Sequence, residues 1–417
     1  MATQIILFAT PIFFLLIFIE LWASVKAKSK VFRFNDAITS LSLGIISQTQ
    51  KLMVFTFAAI VYAWLEKTLA LGRLSADSIW TWLFAFVFYD FLYYWYHRFS
   101  HQINFLWAAH VVHHQSEEYN LTTALRQTSS SVGAWMFYIP SFVIGIPAEV
   151  FFVSGALNLV YQFWVHTQLI GKLGWFETIF VTPSHHRVHH GQNQIYIDKN
   201  HGGVFITWDR LFGTFQEELD GEKVIYGVRR AVKSFNPLWA NIHTWWSLIS
   251  DAWRTESWKD KFRIWFMPTG WRPEDVSKKF PIKKVNPNEL VKYDPPSSLW
   301  LKVYVLIQFS VALVAAVLFI LMSNSLESWQ TWIVWGGITI PVVTAGLLME
   351  SNTNAVKLEF IRLIASMLLI SFYLYDGASY IQYSLSSYCM LSIVALFFIK
   401  TGITQSQKLV EQQPDAS

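Results

Sequence analysis

Histidine is concentrated in one part of this chain, in a pattern that suits metal binding. Eleven of the twelve histidines lie between His97 and His201. Most of them stand three or four residues apart, and on a helix this spacing places their rings on one face. Neutral imidazole is a common ligand of iron, copper and zinc. The clusters are the pair His97 and His101, the triplet His110, His113 and His114, and the triplet His186, His189 and His190.

The number of clustered histidines indicates two metal ions. The three clusters supply eight imidazoles, which is more than a single tetrahedral zinc ion can use. A basic surface for anionic lipids is the alternative, but such a surface needs permanent charge and gains nothing from the repeated spacing. A histidine that stands alone is more often an ordinary polar residue, so we do not expect His201 or His243 to be ligands.

The composition is that of a membrane protein. Hydrophobic residues make up 53% of the chain and charged residues 14%, with a mean hydropathy of +0.33, whereas soluble domains carry about a quarter charged residues. The single cysteine, Cys389, excludes an internal disulfide, a cysteine-ligated structural zinc and an iron–sulfur cluster. The net charge of +4 gives no reason to expect a nucleic-acid partner.

Apolar stretches of membrane-spanning length must position the histidines. In the first, residues 5–22, only Glu20 interrupts the apolar run, and the basic residues follow it, which favours a retained anchor over a cleaved signal peptide. The stretches 133–147 and 149–166 are short and are expected to form a hairpin. The remaining predicted spans are 41–65, 79–96, 299–322, 329–348, 360–375 and 381–399.

The basic residues predict the orientation of these spans. By the positive-inside rule, the run of Lys26, Lys28, Lys30 and Arg33 after the first stretch lies in the cytosol. Two further crossings bring His97, and with it every histidine cluster, to the same side. The sequence therefore predicts an all-α integral membrane protein, a multi-span helical bundle with a cytosolic, histidine-rich cap for two metals. Its membrane would be the endoplasmic reticulum of a eukaryote or the inner membrane of a bacterium.

The surroundings of the histidines resemble a known superfamily. Residues 94–101 (YWYHRFSH), 161–167 (YQFWVHT) and 182–191 (TPSHHRVHHG) resemble the fatty acid hydroxylase superfamily of membrane-bound iron oxygenases, which includes the sterol desaturases. Residues 107–127, which end in SEEYNLTTALRQ, narrow the resemblance to the alkylglycerol monooxygenases. The resemblance extends over residues 80–270.

The resemblance implies a reaction and its cofactors. Two iron ions would activate O2 to hydroxylate the carbon next to the ether oxygen of an alkylglycerol, and the resulting hemiacetal would collapse to a fatty aldehyde and glycerol. Tetrahydrobiopterin would supply the electrons, and the membrane would deliver the amphiphilic lipid. The strength of an aliphatic C–H bond agrees with metal-assisted chemistry rather than with a side-chain acid or nucleophile.

Two alternatives remain open from the sequence. The first is a sterol or fatty-acyl hydroxylase or desaturase of the same superfamily with another electron donor, such as cytochrome b5. The chain carries neither a CxxCH nor a GxGxxG motif, so the reductant is external in either case. The second is a metal transporter, which is disfavoured because transporters place their ligands at mid-membrane on broken or repeated helices.

The apolar stretches and the resemblance together predict a division of the chain into five parts. These are membrane spans at 1–78, a di-iron catalytic domain at 79–270, a cytosolic linker at 271–298, a four-span membrane region at 299–400 and a polar tail at 401–417.

The resemblance assigns the metal ligands residue by residue. His166 joins the clustered histidines as a ninth ligand, and Gln162 either reaches a metal through water or leaves that position empty. His185 lies about 100° around a helix from His186 and is expected on the substrate side or behind the ligands. Asp90 could orient His97 or could be a polar contact between spans. The expected ligands are His97, His101, His110, His113, His114, His166, His186, His189 and His190.

The polar residues directly after the triplet His110, His113 and His114 are the candidates for binding the pterin or the glycerol head group. We expect Glu117, Tyr119, Asn120 and Arg126 to form this polar rim, with Glu117 also affecting turnover. A solvated loop with a helix N-cap is the alternative. Weaker candidates are Tyr196, Asp198, Asn200, Trp208 and Asp209.

Overall fold

A computed structural model of the chain describes residues 1–130, 132–283, 285–373 and 379–411. Over these ranges the regular secondary structure is helical, with two isolated β-bridges and no strand. The expectation of an all-α protein is therefore confirmed.

The α-helices of the described residues are numbered in chain order. They are α1 (Ala2–Lys26), α2 (Phe34–Leu69), α3 (Ile79–Gln102), α4 (Asn104–His114), α5 (Leu121–Ala124), α6 (Ala134–Phe137), α7 (Ile139–Ile144), α8 (Ala148–Trp164), α9 (Pro183–His189), α10 (Thr207–Phe212), α11 (Pro237–Arg254), α12 (Trp258–Arg263), α13 (Glu274–Lys279), α14 (Leu299–Met322), α15 (Ser328–Met349), α16 (Thr353–Tyr373) and α17 (Ser379–Glu411).

The chain forms two compact units. The first comprises residues 1–47, 51–232 and 241–291, and the second comprises residues 48–50, 233–240 and 292–417. All the clustered histidines belong to the first unit.

Among the described residues, four helical segments are long and apolar enough to cross a membrane. They are α1, α14, α15 and residues 382–400 of α17, and α2, bent by 47° near residue 56, raises the number to five. The predicted spans on α3 and α16 form helices, but neither meets this test: α16 carries Lys357, Glu359 and Arg362, and α3 contains many tyrosine and tryptophan residues, which are less apolar than aliphatic ones. The last two residues of the predicted span 360–375 lie outside the described ones.

The predicted hairpin is a set of short helices followed by α8. Gly145 has a φ of +86°, a left-handed conformation that favours glycine, and Pro147 precedes the first residue of α8. A core that includes Tyr62, Phe142 and Val150 joins α2, α7 and α8 and also packs against α3. This packing fixes α3 and α8, and these two helices position the first pair of histidines and His166.

The N-terminal helix packs directly on α8. The rings of Phe13 and Phe163 stack with their centroids 4.0 Å apart, and Ile17 joins the same apolar cluster as Leu121 and Ala124 of α5. The predicted anchor therefore contributes to the core around the histidines.

A buried ion pair connects the helices of the second unit. Arg362 on α16 donates two hydrogen bonds to Glu359, at 2.6 and 2.7 Å. The same carboxylate accepts hydrogen bonds from Tyr304 of α14 at 2.5 Å and Thr344 of α15 at 2.6 Å. Three helices are thus linked by one carboxylate, which is fully hydrogen-bonded and completely buried.

Candidate metal centre

Nine histidines form two compact clusters in the first unit. Within each cluster one ring nitrogen of every histidine lies within 4.8 Å of those of the others. All nine side chains are buried except His110, which is half-buried. We call the two sets the first and second clusters. The first cluster is His97, His101, His110, His114 and His189, and the second is His113, His166, His186 and His190.

Two helices contribute to both clusters. On α4, His113 belongs to the second cluster and His114 to the first, whereas at the end of α9 His189 belongs to the first and His190 to the second. Neighbouring residues on a helix point about 100° apart. A helix that lies between two sites can therefore serve one site with one residue and the other site with the next. The clusters consequently share α4 and α9.

Backbone carbonyls orient four of the rings. The Nδ1 atom of His97 lies 2.8 Å from the carbonyl oxygen of His201, and that of His166 lies 2.8 Å from the carbonyl of Gln162. His113 and His189 make the same contact with the carbonyls of residues 126 and 199, at 3.1 and 3.0 Å. An Nδ1–H that donates to a carbonyl leaves Nε2 bare, which is the usual arrangement of metal-bound histidine.

The bare nitrogens converge on one another. The Nε2 atoms of His97 and His110 are 3.1 Å apart, and so are those of His113 and His166. The Nε2 atoms of His101, His189 and His190 are buried and have no hydrogen-bond partner within the described ranges. Bare, crowded imidazole nitrogens are what a bound cation requires, so the side chains present fit two metal ions.

Burial keeps these rings in the form that binds metal. It lowers the pKa of His113 to about 4 and lowers the pKa of His110, His114 and His190 well below the usual value. Loss of solvation disfavours the charged imidazolium, and neighbouring histidines add repulsion between positive charges. The rings are therefore neutral at pH 7, as ligation requires.

Asp90 does not contact His97 but binds the loop that orients it. Its carboxylate accepts hydrogen bonds from the backbone N–H groups of Val204 and Phe205 at 2.8 and 3.0 Å, and from the indole of Trp208 at 2.9 Å. A Cβ atom at position 203 would lie 2.7 Å from Asp90 Oδ1, so Gly203 permits this close approach. The structure therefore differs from the prediction that Asp90 orients His97 directly. The carbonyl of His201, in the loop that Asp90 binds, contacts the His97 ring instead.

Asp209 holds the other end of that loop. It is completely buried and accepts hydrogen bonds from the backbone N–H groups of His201 and Gly202, at 2.7 and 2.8 Å, and from Thr214 at 2.7 Å. Burial raises its pKa to about 6 although these donors act in the opposite direction. Asp90 and Asp209 together fix the segment whose carbonyl orients His97.

His185 and Gln162 both lie close to the second cluster without belonging to it. The His185 ring lies against Phe215, with centroids 5.6 Å apart, and burial lowers its pKa to about 4. The side chain of Gln162 accepts from Tyr93 at 2.8 Å and donates to Asn158 at 2.6 Å. The contribution of Gln162 to the site is its backbone carbonyl, which contacts His166.

The polar residues that follow the triplet His110, His113 and His114 are bonded to the N-terminal part of the chain. Arg33 pairs with Glu117 at 3.0 Å and with Glu118 at 2.6 Å. Asn120 donates to the carbonyl of Val31 at 2.6 Å and caps α5 through its side-chain oxygen. Of the predicted rim, Glu117 is partly exposed, and the other three side chains are buried against protein groups.

Tyr119 and Arg126 support ligands of the second cluster. The Tyr119 ring stacks on His166, with centroids 5.6 Å apart, and on Tyr226, with centroids 4.8 Å apart. The guanidinium of Arg126 donates to the carbonyl of Val112, and the Arg126 carbonyl contacts His113. Both residues therefore help to position imidazole rings.

Several supporting residues could not be found from sequence spacing. Glu20 of α1 accepts hydrogen bonds from Thr167 Oγ1 at 2.5 Å and from the backbone N–H of Leu121 at 2.7 Å. Asp36 of α2 accepts from Ser116 at 2.5 Å. These residues lie far from the histidine boxes in the chain, and an acidic residue in an apolar stretch is the only signal that pointed to Glu20.

Two buried clusters of convergent, neutral imidazoles in a helical membrane protein are the arrangement expected of an iron-dependent membrane oxygenase. In agreement, the family model described as Fatty acid hydroxylase matches residues 82–214, which contain all nine clustered histidines. The chain is therefore an oxidoreductase of the monooxygenase type.

Relatives define the family more narrowly. Alkylglycerol monooxygenase from Homo sapiens is 37% identical over 370 residues, which cover 87% of this chain and 82% of the relative. The enzyme of that name from Danio rerio is 37% identical over 374 residues, with the same coverage of both chains. A more distant relative, an ornithine lipid hydroxylase from Rhizobium tropici, is 29% identical over 28% of this chain and 37% of its own length. The chain belongs to the alkylglycerol monooxygenase family, and no solved structure matches it significantly.

Proposed function

We propose that this protein is a two-iron monooxygenase that hydroxylates the ether-linked alkyl chain of alkylglycerols. The observation that carries the proposal is the pair of adjacent histidine clusters, each of which offers at least four convergent imidazoles. Membership of the alkylglycerol monooxygenase family supports the substrate. The lipid membrane supplies such a substrate, whose tail remains in apolar surroundings while its head group reaches the polar site.

The first cluster would hold one iron with five imidazoles and the second would hold another with four. Imidazole suits iron, and neutral ligands leave the pair of ions highly charged. When bound, the irons supply the activation of O2 and the oxidation of a strong C–H bond. The protein's own contribution is burial of the ligands and their fixation by carbonyls, which holds the ring nitrogens in place before metal enters.

The overall reaction consumes one O2, two electrons and two protons. One atom of O2 is inserted into the C–H bond next to the ether oxygen, and the other leaves as water after uptake of two electrons and two protons. The hydroxylated product is a hemiacetal. The proton of this hydroxyl group is transferred to the ether oxygen as the bond between the hydroxylated carbon and that oxygen breaks, which gives a fatty aldehyde and glycerol. Tetrahydrobiopterin is proposed as the external two-electron donor.

Glu117 is proposed to contact the pterin or the glycerol head group. Its carboxylate is partly exposed, lies three residues after His114, and is held by Arg33. A carboxylate can accept hydrogen bonds from the N–H groups of a reduced pterin or from a glycerol hydroxyl. Tyr119, Asn120 and Arg126 then act by holding the run and the second cluster in place.

We further propose that the catalytic domain spans residues 79–270 and that its active site faces the cytosol. The distribution of basic residues around the membrane helices supports this orientation. Residues 1–78 and 299–400 would contribute membrane helices, 271–298 would form a linker and 401–417 a polar tail.

The test is turnover of a defined lipid with the purified protein in nanodiscs. An alkylglycerol deuterated next to the ether oxygen should yield a fatty aldehyde that retains one deuterium, and only when tetrahydrobiopterin is present. Cytochrome b5 should not replace the pterin. Oxidation of sterols or acyl chains with a cytochrome b5 or ferredoxin donor, together with inertness toward alkylglycerol, would overturn the substrate and the reductant.

A further inference from the structure

His201 is a further buried histidine, adjacent to the first cluster but outside it. Its side chain is completely buried. Its ring centroid lies 5.2 Å from that of His101 and 5.6 Å from those of His97 and His189. For comparison, His97 and His101, two members of the cluster, are 5.3 Å apart by the same measure. His201 is therefore a direct neighbour of the first site.

The backbone of His201 is fully bonded while its ring is not. The backbone N–H donates to Asp209 and the carbonyl accepts from His97. Neither ring nitrogen has a hydrogen-bond partner of normal geometry within the described ranges, and the carbonyl of Asp198, which lies close to the ring, can accept from one ring nitrogen only. An unpaired polar group in the protein interior carries a substantial free-energy cost, so at least the other ring nitrogen is expected to have a partner that is not a protein group.

The number of imidazoles in the first cluster indicates what the partner of the His201 ring is. Five imidazole nitrogens lie within 4.8 Å of one another, and an octahedral ion has one position more. The ring nitrogens of His201 are not in that convergent set. A side chain that hydrogen-bonds to a metal-bound ligand, rather than to the metal, lies farther from the ion than the coordinating nitrogens do.

We propose that His201 is a catalytic residue that hydrogen-bonds to the small ligand in the sixth position of the ion bound by the first cluster. A neutral imidazole offers one N–H and one bare nitrogen. It can therefore donate to an anionic ligand or accept from a protonated one. The inference rests on the proposed two-iron centre but not on the identity of the lipid.

Azide serves as the probe, because it is a small anion that binds ferric iron and needs no substrate. Iron content and the dissociation constant of azide are measured for wild type, His201→Phe and His201→Gln. Phe fills the same space without a nitrogen, and Gln restores a hydrogen-bonding group. We expect unchanged iron content in both variants, azide binding weakened about tenfold in the Phe variant, as loss of one hydrogen bond predicts, and partial recovery with Gln.

His243→Phe is the matched control, since His243 lies outside both clusters, and it should change neither quantity. Loss of iron from His201→Phe would show that His201 is a ligand, and unchanged azide affinity would show that it only fills space; either result overturns the proposal. His201→Ala provides a second test, because added imidazole can enter the space left by the ring. Imidazole should restore azide affinity without altering iron content, and failure to do so counts against the proposal.

If the wild-type protein binds one iron, the two-iron centre fails independently of the azide result. If it binds two irons but oxidises another lipid, the inference about His201 stands.

Discussion

Removal of the Glu20 carboxylate is expected to loosen the second metal site from a distance. Glu20 lies on the N-terminal helix, is 5% exposed, and binds both Thr167 and the backbone of Leu121. Thr167 directly follows His166, and Leu121 is the first residue of α5, which follows the triplet His110, His113 and His114 in the chain. One carboxylate therefore ties α1 to two segments that position the second cluster.

The magnitude follows from the two hydrogen bonds. Glu20→Ala leaves two buried donors unpaired, and each such donor costs about 1–3 kcal/mol. We therefore expect the free energy of unfolding to fall by about 2–5 kcal/mol, since some relaxation will recover part of the loss. Glu20→Gln keeps one acceptor oxygen and should lose roughly half as much.

The assay combines thermal unfolding with iron analysis in nanodiscs. Glu20→Ala should lower Tm and lose iron from the second cluster first. Thr10→Ala is the matched control, because Thr10 lies on the same helix and donates to the carbonyl of Ile6 in its own helix; it should leave Tm and iron content near wild type. A Glu20→Ala protein with unchanged Tm and full iron content would refute the reasoning.

Three further changes test other parts of the structure. Burial raises the pKa of Asp209 to about 6 from 3.8. Because the folded-state pKa is the higher one, Asp209 should lower the free energy of unfolding by about 3 kcal/mol as pH rises from 4 through 6, and Asp209→Asn should remove this contribution to the pH dependence of thermal unfolding. Glu117→Gln should leave iron content intact and reduce turnover roughly ten- to a hundredfold, the value of a charge-assisted hydrogen bond, as aldehyde release will show. Arg362→Met leaves Glu359 buried without its cation and should cost about 3–5 kcal/mol, and the added change Glu359→Gln should recover part of the lost Tm.

Local spacing was sufficient to find eight of the nine clustered histidines, and the family resemblance added His166. His97 and His101 stand one turn apart on α3, and the triplets lie on α4 and at the end of α9, so helical periodicity alone places their rings on common faces. Spacing could not assign the rings to clusters. His113 and His114 are neighbours in the chain but serve different sites, because the direction of each ring matters only once α3, α8 and α9 have packed around α4.

The supporting residues depend on tertiary contacts that no local pattern encodes. Asp90 lies on the same helix as His97, yet its partners are Val204, Phe205 and Trp208, more than a hundred residues away in the chain. Glu20 interrupts an apolar stretch, but no local pattern around it indicates that Thr167 is its partner. His201 stands alone in the chain, so the sequence predicts an ordinary polar residue, whereas the folded chain brings it beside three histidines.

We propose that the two histidine clusters each hold one iron, and metal analysis of neighbouring variants measures the iron of each cluster. Wild-type protein loaded anaerobically should contain close to two irons per chain, one for each cluster. His190→Ala reduces the second cluster from four imidazoles to three and should leave about one iron, whereas His189→Ala leaves four in the first cluster and should weaken iron there without affecting the second. A single iron in the wild type with no second site on titration, or two firmly held irons in His190→Ala, would contradict the account.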